Sequence, residues 1–260
     1  MPELPDVAEF KRYFDSTALR KRIRGAQVLD RRVLDGITPG QLDRFLRGTQ
    51  FTGTRRHGKN LFAFTRRGGG ALRMHFGMTG WLEWFRSAGE PPRHTRVRID
   101  FAGGRSLGIV DQRILGCVGI IGDADAFIAD RRLGPDALDG EFEPFRQRIR
   151  RRRSDLKSAL MDQTVIAGLG NIWSDEVLFQ ARMHPGRPVD RTSDAELRRL
   201  FEVIRKVMRA AVDHRADFDA MPDFFLHHRY EGARCPRCGG RIGPIKLAGR
   251  RGWFCGKCQK

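Results

Sequence analysis

The chain has 260 residues, and its 49 lysines and arginines against 31 aspartates and glutamates give a formal net charge of +18. Only eight of the basic residues are lysines. Arginine binds phosphate through two parallel hydrogen bonds, so the composition favours nucleic acid as a partner over an acidic membrane surface. No apolar run approaches the roughly 18 residues of a membrane span, and the amino end lacks a signal-peptide layout. We therefore expect a soluble, cytosolic protein.

The first stretch of the chain predicts a helix, because Pro5 and Asp6 suit a first turn and apolar residues recur on one face: Val7, Phe10, Phe14 and Ala18. From Gly25 to about Phe101, short apolar or alternating segments are separated by Gly-rich or Pro-rich breaks, which predicts strands. The segments are NLFAF (60–64), ALRMHFGMTGWLEWF (71–85) and TRVRIDF (95–101). Their spacing is typical of a β-sandwich or barrel.

From about Asp123 the apolar periodicity becomes helical. The clearest helix is predicted over 194–214, with Asp194 as its cap and a buried stripe of Leu197, Leu200, Ile204 and Met208. The basic run RQRIRRRRSD (146–155) precedes this region. Its charges suit either a solvated linker or an edge that faces phosphate.

Four of the five cysteines form two close pairs near the end of the chain, Cys235 with Cys238 and Cys255 with Cys258. Each pair has the Cys-x2-Cys spacing, and four thiolates in this pattern predict one tetrahedral zinc ion. Because four cysteines leave no open position on the metal, the zinc is expected to be structural. The residues between the pairs predict a hairpin that presents Lys246, Arg250 and Arg251.

A glycine-rich turn lies in the segment AGLGNIWSDEVLF (167–179), between two helical stretches. The N–H groups at the start of the second helix could bind a phosphate, and Asn171 could add its side-chain amide. The alternative interpretation is an ordinary glycine-rich connection between helices.

Several of these segments together resemble the bacterial formamidopyrimidine-DNA glycosylases and their endonuclease VIII relatives. The initial PELPD resembles the catalytic start of that family, GLGNIWSDEVLF its helix-two-turns-helix signature, and the segment ending in CGKCQK its zinc finger. The motifs RRHGKNL, MHFGMTG, VDQRILG and LGPDAL also follow in the order of the family. The resemblance therefore spans nearly the whole chain.

The resemblance implies an α+β fold, with an amino-terminal β-sandwich and flanking helices, and a carboxy-terminal helical domain with a four-cysteine zinc finger. We place the catalytic β-sandwich domain at 1–130, a linker at 131–150, the helix-two-turns-helix domain at 151–229 and the zinc finger at 230–260. The implied partner is double-stranded DNA that contains damaged bases or abasic sites. We expect a monomer in the bacterial cytosol or nucleoid, without membrane contact and with one zinc ion as the only cofactor.

The resemblance also implies that Pro2 and Glu3 are catalytic. Once Met1 is removed, Pro2 carries a free α-amine, whose pKa near ~8 leaves a useful fraction unprotonated at neutral pH. This amine can attack the sugar C1′ and form an iminium, which helps to expel the damaged base and leads to strand cleavage by β,δ-elimination. Glu3 is expected to move protons as general acid and base.

Further residues match DNA-binding positions of the family. Lys59 matches a phosphate-binding lysine of the catalytic site, and Asn171 and Arg250 match residues of the turn and the finger. Met78 matches the residue that fills the gap left by a flipped nucleotide, and Arg113 the residue that faces the orphaned base. For Met78, core packing is the alternative interpretation.

The sequence departs from the formamidopyrimidine-type pattern at several places. Ile114 and Leu115 stand where an arginine and a phenylalanine are common, Asp6 replaces a usual glutamate, and the segment 217–235 is short, whereas Leu4 matches the purine-lesion pattern. We therefore keep an endonuclease VIII-like enzyme for oxidised pyrimidines, or mainly an abasic-site lyase, as an alternative. Further alternatives are a non-catalytic zinc-containing binder of damaged DNA and a zinc-finger transcription factor.

Overall fold

A computed structural model describes residues 1–260, and the chain divides into two compact units. The amino-terminal unit consists of Met1–Pro2 and Asp6–Arg131, and the carboxy-terminal unit of Glu3–Pro5 and Arg132–Lys260. The first residues of the chain are thus shared between the two units. The domain limits given above stay predictions.

The amino-terminal unit contains eight strands in two antiparallel four-stranded sheets. The strands are β1 (Ile23–Val28), β2 (Phe51–His57), β3 (Asn60–Thr65), β4 (Ala71–His75), β5 (Gly80–Arg86), β6 (Thr95–Phe101), β7 (Arg105–Asp111) and β8 (Cys117–Ile121). One sheet has the order β1-β6-β7-β5 and the other β2-β3-β4-β8. Each strand contributes to one core, through Ile23, Phe51, Leu61, Leu72, Leu82, Val97, Leu107 and Val118. Two sheets around a shared core confirm the predicted sandwich.

Three helices flank these strands: α1 (Leu4–Ala18), α2 (Pro39–Leu46) and α3 (Ala124–Asp130). The strand prediction for the whole of 25–101 is wrong at α2. There Thr38 Oγ1 accepts from Gln41 N at 3.3 Å, and Gln41 Oε1 accepts from Thr38 N at 2.7 Å. This capping box, followed by Pro39 in the first turn, was a readable helix signal in the sequence.

The carboxy-terminal unit is built on four helices: α4 (Phe142–Arg150), α5 (Leu156–Met161), α6 (Asn171–Ala181) and α7 (Asp194–Asp213). The predicted stripe of α7 is fully buried. Part of the segment predicted as a linker forms α4, whose Phe145 and Ile149 are buried in the same core. Leu4 also belongs to this core.

The cap of α7 differs from the prediction. Ser193, not Asp194, is the N-cap: its Oγ accepts from Glu196 N at 3.2 Å, and Glu196 Oε2 accepts from Ser193 N at 2.8 Å. Asp194 instead pairs with Arg146 at 3.0 Å and with Arg150 at 2.5 Å. Part of the basic run is therefore neutralised by α7.

The last strands, β9 (Ile242–Leu247) and β10 (Arg250–Cys255), form the predicted antiparallel hairpin. Its turn consists of Ala248 and Gly249 with φ values of 46° and 76°, as a two-residue hairpin turn of type I′ requires. Arg250 lies directly after this turn and is exposed. None of the helices is long and apolar enough to cross a membrane.

We expect Ser193→Ala to lower the free energy of unfolding by about 1 kcal/mol, because it removes the side-chain acceptor of the capping box. Urea unfolding followed by circular dichroism measures the change. Asp194→Ala removes only ion pairs of a carboxylate that is 55 % exposed, and it should cost less. A larger cost for Asp194→Ala would contradict the assignment of the cap.

Candidate active site and zinc centre

The carboxylate of Glu3 is bound to the start of α6. It is 1 % exposed and accepts hydrogen bonds from Gly170 N at 2.5 Å, Ile172 N at 2.9 Å and Trp173 N at 3.3 Å. These N–H groups and the helix dipole favour the ionised form of a carboxylate. The glycine-rich pattern predicted either a phosphate site or an ordinary connection at this helix start, and in the structure Glu3 accepts from its N–H groups.

The glycines of the preceding turn permit this close approach. A Cβ on Gly170 would lie 2.4 Å from Glu3 Cδ, and a Cβ on Gly168 would lie 2.6 Å from Leu4 Cδ1. Gly168 also has a φ of 121°, which side-chain-bearing residues rarely adopt. Its carbonyl accepts from Leu4 N at 3.0 Å. The two glycines therefore let the start of the chain lie against the turn.

Pro2 is half-buried and belongs to the amino-terminal unit. It precedes Glu3 directly, and consecutive Cα atoms lie about 3.8 Å apart. The covalent chain alone therefore keeps the nitrogen of Pro2 close to the residue whose carboxylate is bound by α6.

Three predicted DNA-binding residues lie at one end of the β2-β3-β4-β8 sheet. Lys59 is in the turn between β2 and β3, Met78 follows β4, and Arg113 precedes β8. The strand ends beside them pair across the sheet: Asn60, His75 and Cys117. The fold thus brings together residues that are separated by more than 50 positions.

Asp111, at the end of β7, organises this end of the sheet. It is buried, and its Oδ1 accepts from Thr79 Oγ1 at 2.7 Å and from Arg113 N at 3.2 Å. Its Oδ2 accepts from Leu115 N at 2.9 Å and from Gly116 N at 2.7 Å. One carboxylate therefore fixes both the 112–116 loop and the turn after β4. Asp111 belongs to the motif VDQRILG, but no local pattern in that motif predicted its role.

The turn that carries Met78 is exposed rather than packed in the core. Met78 is 41 % exposed and Leu115 is 49 % exposed. Gly77 has a φ of 57°, and a Cβ there would lie 2.4 Å from the carbonyl carbon of Leu115. The two apolar side chains are thus presented to solvent on backbones that pack closely together.

His75 supports the same turn as a neutral ring. Burial lowers its pKa to about 4, and the positive charges of Arg73 and Lys59 contribute to the shift. Its Nδ1 accepts from Gly77 N at 3.2 Å. Since the ring stays unprotonated at neutral pH, this acceptor is retained.

In the carboxy-terminal unit, a buried ion pair connects α5, α6 and the hairpin. Lys157 Nζ lies 2.5 Å from Asp175 Oδ1, and both side chains are 1 % exposed. Asp175 Oδ2 also accepts from Trp253 N at 3.1 Å. Burial raises the pKa of Asp175, and the ammonium of Lys157 opposes this shift. No local pattern predicts this pair, because a lysine and an aspartate in helices are usually exposed.

Asn171, the first residue of α6, is also connected to the hairpin. Its Nδ2 donates to the carbonyl oxygen of Arg251 at 3.0 Å. An amide nitrogen has two protons, so one stays available to a ligand. Arg250, the other predicted DNA-binding residue of this unit, is the neighbour of Arg251.

The four predicted zinc ligands lie together. Their Sγ atoms are all within 4.8 Å of one another, with 3.9 Å between Cys235 and Cys258 and 3.6 Å between Cys238 and Cys255. A tetrahedral site with Zn–S bonds of about 2.3 Å separates its sulfurs by about 3.8 Å. The cluster therefore fits one structural zinc ion.

Three family models match the chain in succession. The formamidopyrimidine-DNA glycosylase N-terminal domain matches residues 1–118, the formamidopyrimidine-DNA glycosylase H2TH domain residues 133–220, and the zinc finger found in FPG and IleRS residues 232–260. Together they cover most of the sequence and agree with the zinc ligands.

Curated relatives align over the whole chain. The formamidopyrimidine-DNA glycosylase of a Synechococcus species is 34 % identical, over 100 % of this chain and 99 % of the relative. That of a Nocardioides species is 36 % identical, over 100 % and 94 %. The solved Lactococcus lactis enzyme, non-covalently bound to DNA with an abasic site, gives a TM-score of 0.90 at 26 % identity, with 99 % of each chain covered. MutM in complex with DNA containing carbocyclic 8-oxo-G gives 0.88 at 26 % identity, with full coverage of both chains.

We expect Asp111→Asn to lower the free energy of unfolding by about 1–3 kcal/mol, because an amide nitrogen cannot accept hydrogen bonds from N–H groups. Hydrogen exchange should accelerate at the amides of Arg113, Leu115 and Gly116, which Asp111 holds. Asp100→Asn is the control, since Asp100 accepts from Arg98 and Ser106 and makes no contact with the 112–116 loop in the hydrogen bonds of its side chain. Unchanged exchange in 112–116 for Asp111→Asn would refute the organising role.

Removal of zinc by a chelator should disorder the β9–β10 hairpin and leave the strands of the amino-terminal unit intact, because the four cysteines all lie in the finger. Two-dimensional NMR monitors both regions, and mass spectrometry verifies the loss of metal. Cys258→Ser should lose zinc as well, whereas Cys117→Ser should retain one zinc ion per chain. Hairpin signals that survive verified zinc loss would contradict the structural role.

Proposed function

The chain belongs to the formamidopyrimidine-DNA glycosylase family, and we propose that it is a bifunctional DNA glycosylase and abasic-site lyase. Its substrate is double-stranded DNA with oxidised purines of the 8-oxoguanine and formamidopyrimidine type. The full-length relatives support this proposal. The observation that carries it is the buried carboxylate of Glu3, which α6 holds directly after Pro2.

The reaction starts at the nitrogen of Pro2 once Met1 has been removed. Its lone pair forms a bond to the sugar C1′ while the glycosidic bond breaks, and the base leaves with the electron pair of that bond and takes up a proton. The nitrogen then loses its own proton. Cleavage of the C1′–O4′ bond, with a proton delivered to O4′, produces the iminium.

Glu3 moves the protons of these steps. Its carboxylate is ionised by the N–H groups of α6, so it can accept the proton released by Pro2 and donate it to O4′. The iminium acidifies the C2′ proton. Loss of that proton expels the 3′ phosphate, and a second elimination expels the 5′ phosphate, which completes the strand cleavage.

The predicted DNA-binding residues complete the proposal. Lys59 binds a phosphate near the reacting sugar, Met78 fills the gap left by the flipped nucleotide, and Arg113 faces the orphaned base. Asn171, the first residue of α6, and Arg250, in the finger hairpin, bind phosphates with their side chains. The exposure of Met78 and the common sheet end of the first three residues support these roles.

The proposal also covers the oligomeric state of the protein and its location in the cell. A single chain holds the residues named above, so the protein acts as a monomer with its structural zinc. Because its substrate is chromosomal DNA, we place it in the bacterial cytosol and nucleoid.

A second candidate is an enzyme for oxidised pyrimidines or mainly an abasic-site lyase. The segment 217–235 is short. Its part 217–230 is fixed to α6, because Glu176 Oε2 accepts from Leu226 N at 2.9 Å and Gln180 Nε2 donates to Phe224 O at 3.1 Å. A short, anchored segment leaves little chain to cover a large flipped base, which favours this candidate.

Borohydride trapping tests these proposals. Untagged protein is incubated with duplexes that contain 8-oxoguanine, 5,6-dihydrouracil or an abasic site, and Pro2→Gly is tested in parallel. We expect a covalent adduct on 8-oxoguanine that Pro2→Gly strongly reduces, because the flexible primary amine of glycine replaces the ring-held secondary amine of proline. Pro39→Gly, at the start of α2, is the matched control and should retain the adduct.

Each outcome selects one proposal. Trapping on dihydrouracil or on the abasic site alone would replace the oxidised-purine proposal by the second candidate. Tight binding of all duplexes without any adduct would mean that the chain binds damaged DNA without catalysis.

A further inference from the structure

Arg229 lies in the anchored segment 217–230 and packs against α6. Its side chain is 16 % exposed, and Nη2 lies 3.3 Å from Oε2 of Glu176, which is itself fully buried. The guanidinium lies over the ring of Phe218, 4.6 Å from its centroid. A charged group in this position requires compensation, because burial penalises its ionised form.

A continuous path of contacts leads from Arg229 to Glu3. The ring of Phe218 stacks on Trp173, with centroids 4.6 Å apart and an interplanar angle of 19°. The backbone N–H of Trp173 donates to Glu3 Oε2 at 3.3 Å. The guanidinium of Arg229 thus packs on Phe218, and Phe218 in turn packs on Trp173, one of the three residues whose N–H groups donate to Glu3.

Three acidic residues interact with the charge of Arg229. Burial lowers the pKa of Arg229, and the negative charges of Glu176, Asp175 and Glu3 oppose this shift. Lys157 pairs with Asp175, and His227 lies near Glu176. Without the charge of Arg229, Glu3, Asp175 and Glu176 would lose a cation that interacts with all three. Such interactions are strong where water is excluded.

We propose that Arg229 is a positioning residue for Glu3. Its charge keeps the carboxylate of Glu3 ionised beside Asp175 and Glu176, and its stacking on Phe218 fixes the first turn of α6. This inference rests on the proposed function, in which Glu3 first accepts a proton and therefore must be ionised. It gives the segment 217–230 a role in the acid–base chemistry of the site.

Arg237 provides a matched control. It also packs a guanidinium on a phenylalanine, 4.6 Å from the centroid of Phe179, and donates to Phe179 O at 2.8 Å. It is bonded to the carboxyl end of α6, however, whereas Glu3 is bonded to the amino end. A purely structural role of an arginine packed on α6 would be shared by both residues, but an effect on Glu3 would not.

The test is a pH titration of the glutamate carboxyl carbons by 13C NMR, with Glu3 assigned from the signal missing in Glu3→Gln. We expect Arg229→Gln to raise the pKa of Glu3 by about one unit, because a nearby opposite charge is removed. Arg229→Lys keeps the charge and should give a value close to that of the unmodified protein. Arg237→Gln should leave the titration of Glu3 unchanged, and zinc content is measured for every variant.

Two results would overturn the inference: an unchanged Glu3 titration in folded Arg229→Gln, or an equal shift in Arg237→Gln. If Arg229→Gln does not fold, Arg229→Met decides instead. It removes the charge and keeps an unbranched side chain to pack on Phe218, so the pKa of Glu3 should rise, and an unchanged value would refute the proposal. The titration needs no substrate. Its failure is therefore separate from a failure of the unmodified protein to form the trapped adduct.

Discussion

The hydrogen bonds between the Glu3 carboxylate and the start of α6 are the constraint that fixes the first residues of the chain on the carboxy-terminal unit. A buried carboxylate is stable only if its oxygens accept hydrogen bonds, and three backbone N–H groups provide them. Those groups can approach only because Gly168 and Gly170 have no side chains. Leu4 then follows into the core of the unit. Glu3, which we propose as catalytic, and the core residue Leu4 are thus placed by one turn.

The same helix carries three more buried polar residues. They are Ser174, Asp175 and Glu176, and each has at least one partner outside the helix. Lys157 and the finger hairpin bind Asp175, while the segment 217–230 binds Glu176. Loss of one partner from a buried ion pair leaves the other uncompensated, at a cost of about 3–5 kcal/mol. The helix that positions Glu3 is therefore held rigidly by contacts that serve the finger as well.

Local patterns in the sequence predicted a sandwich or barrel, the stripe of α7, the hairpin and the zinc ligands, because periodicity and cysteine spacing are short-range properties. The anion at the start of α6 could not be identified in this way. The pattern correctly predicted a helix start with N–H groups, but their ligand comes from Glu3, far away in the sequence. The ion pair of Lys157 was missed for the same reason. The predicted cap, Asp194, is wrong by one residue, because Ser193 precedes it and also satisfies the capping pattern.

In the amino-terminal unit, a single carboxylate likewise holds the 112–116 loop in place. Ile114 has a φ of 56°, and a β-branched residue in this conformation costs about 1–3 kcal/mol. The hydrogen bonds of Asp111 to both sides of Ile114 hold the backbone in place against that strain. The result is an exposed pair of apolar side chains, Met78 and Leu115, in a strongly basic chain. Backbone strain is common at functional sites, and exposed apolar side chains often contact a ligand. The strained Ile114 beside the exposed Met78 and Leu115 therefore agrees with the proposal that these side chains enter the gap in a DNA duplex.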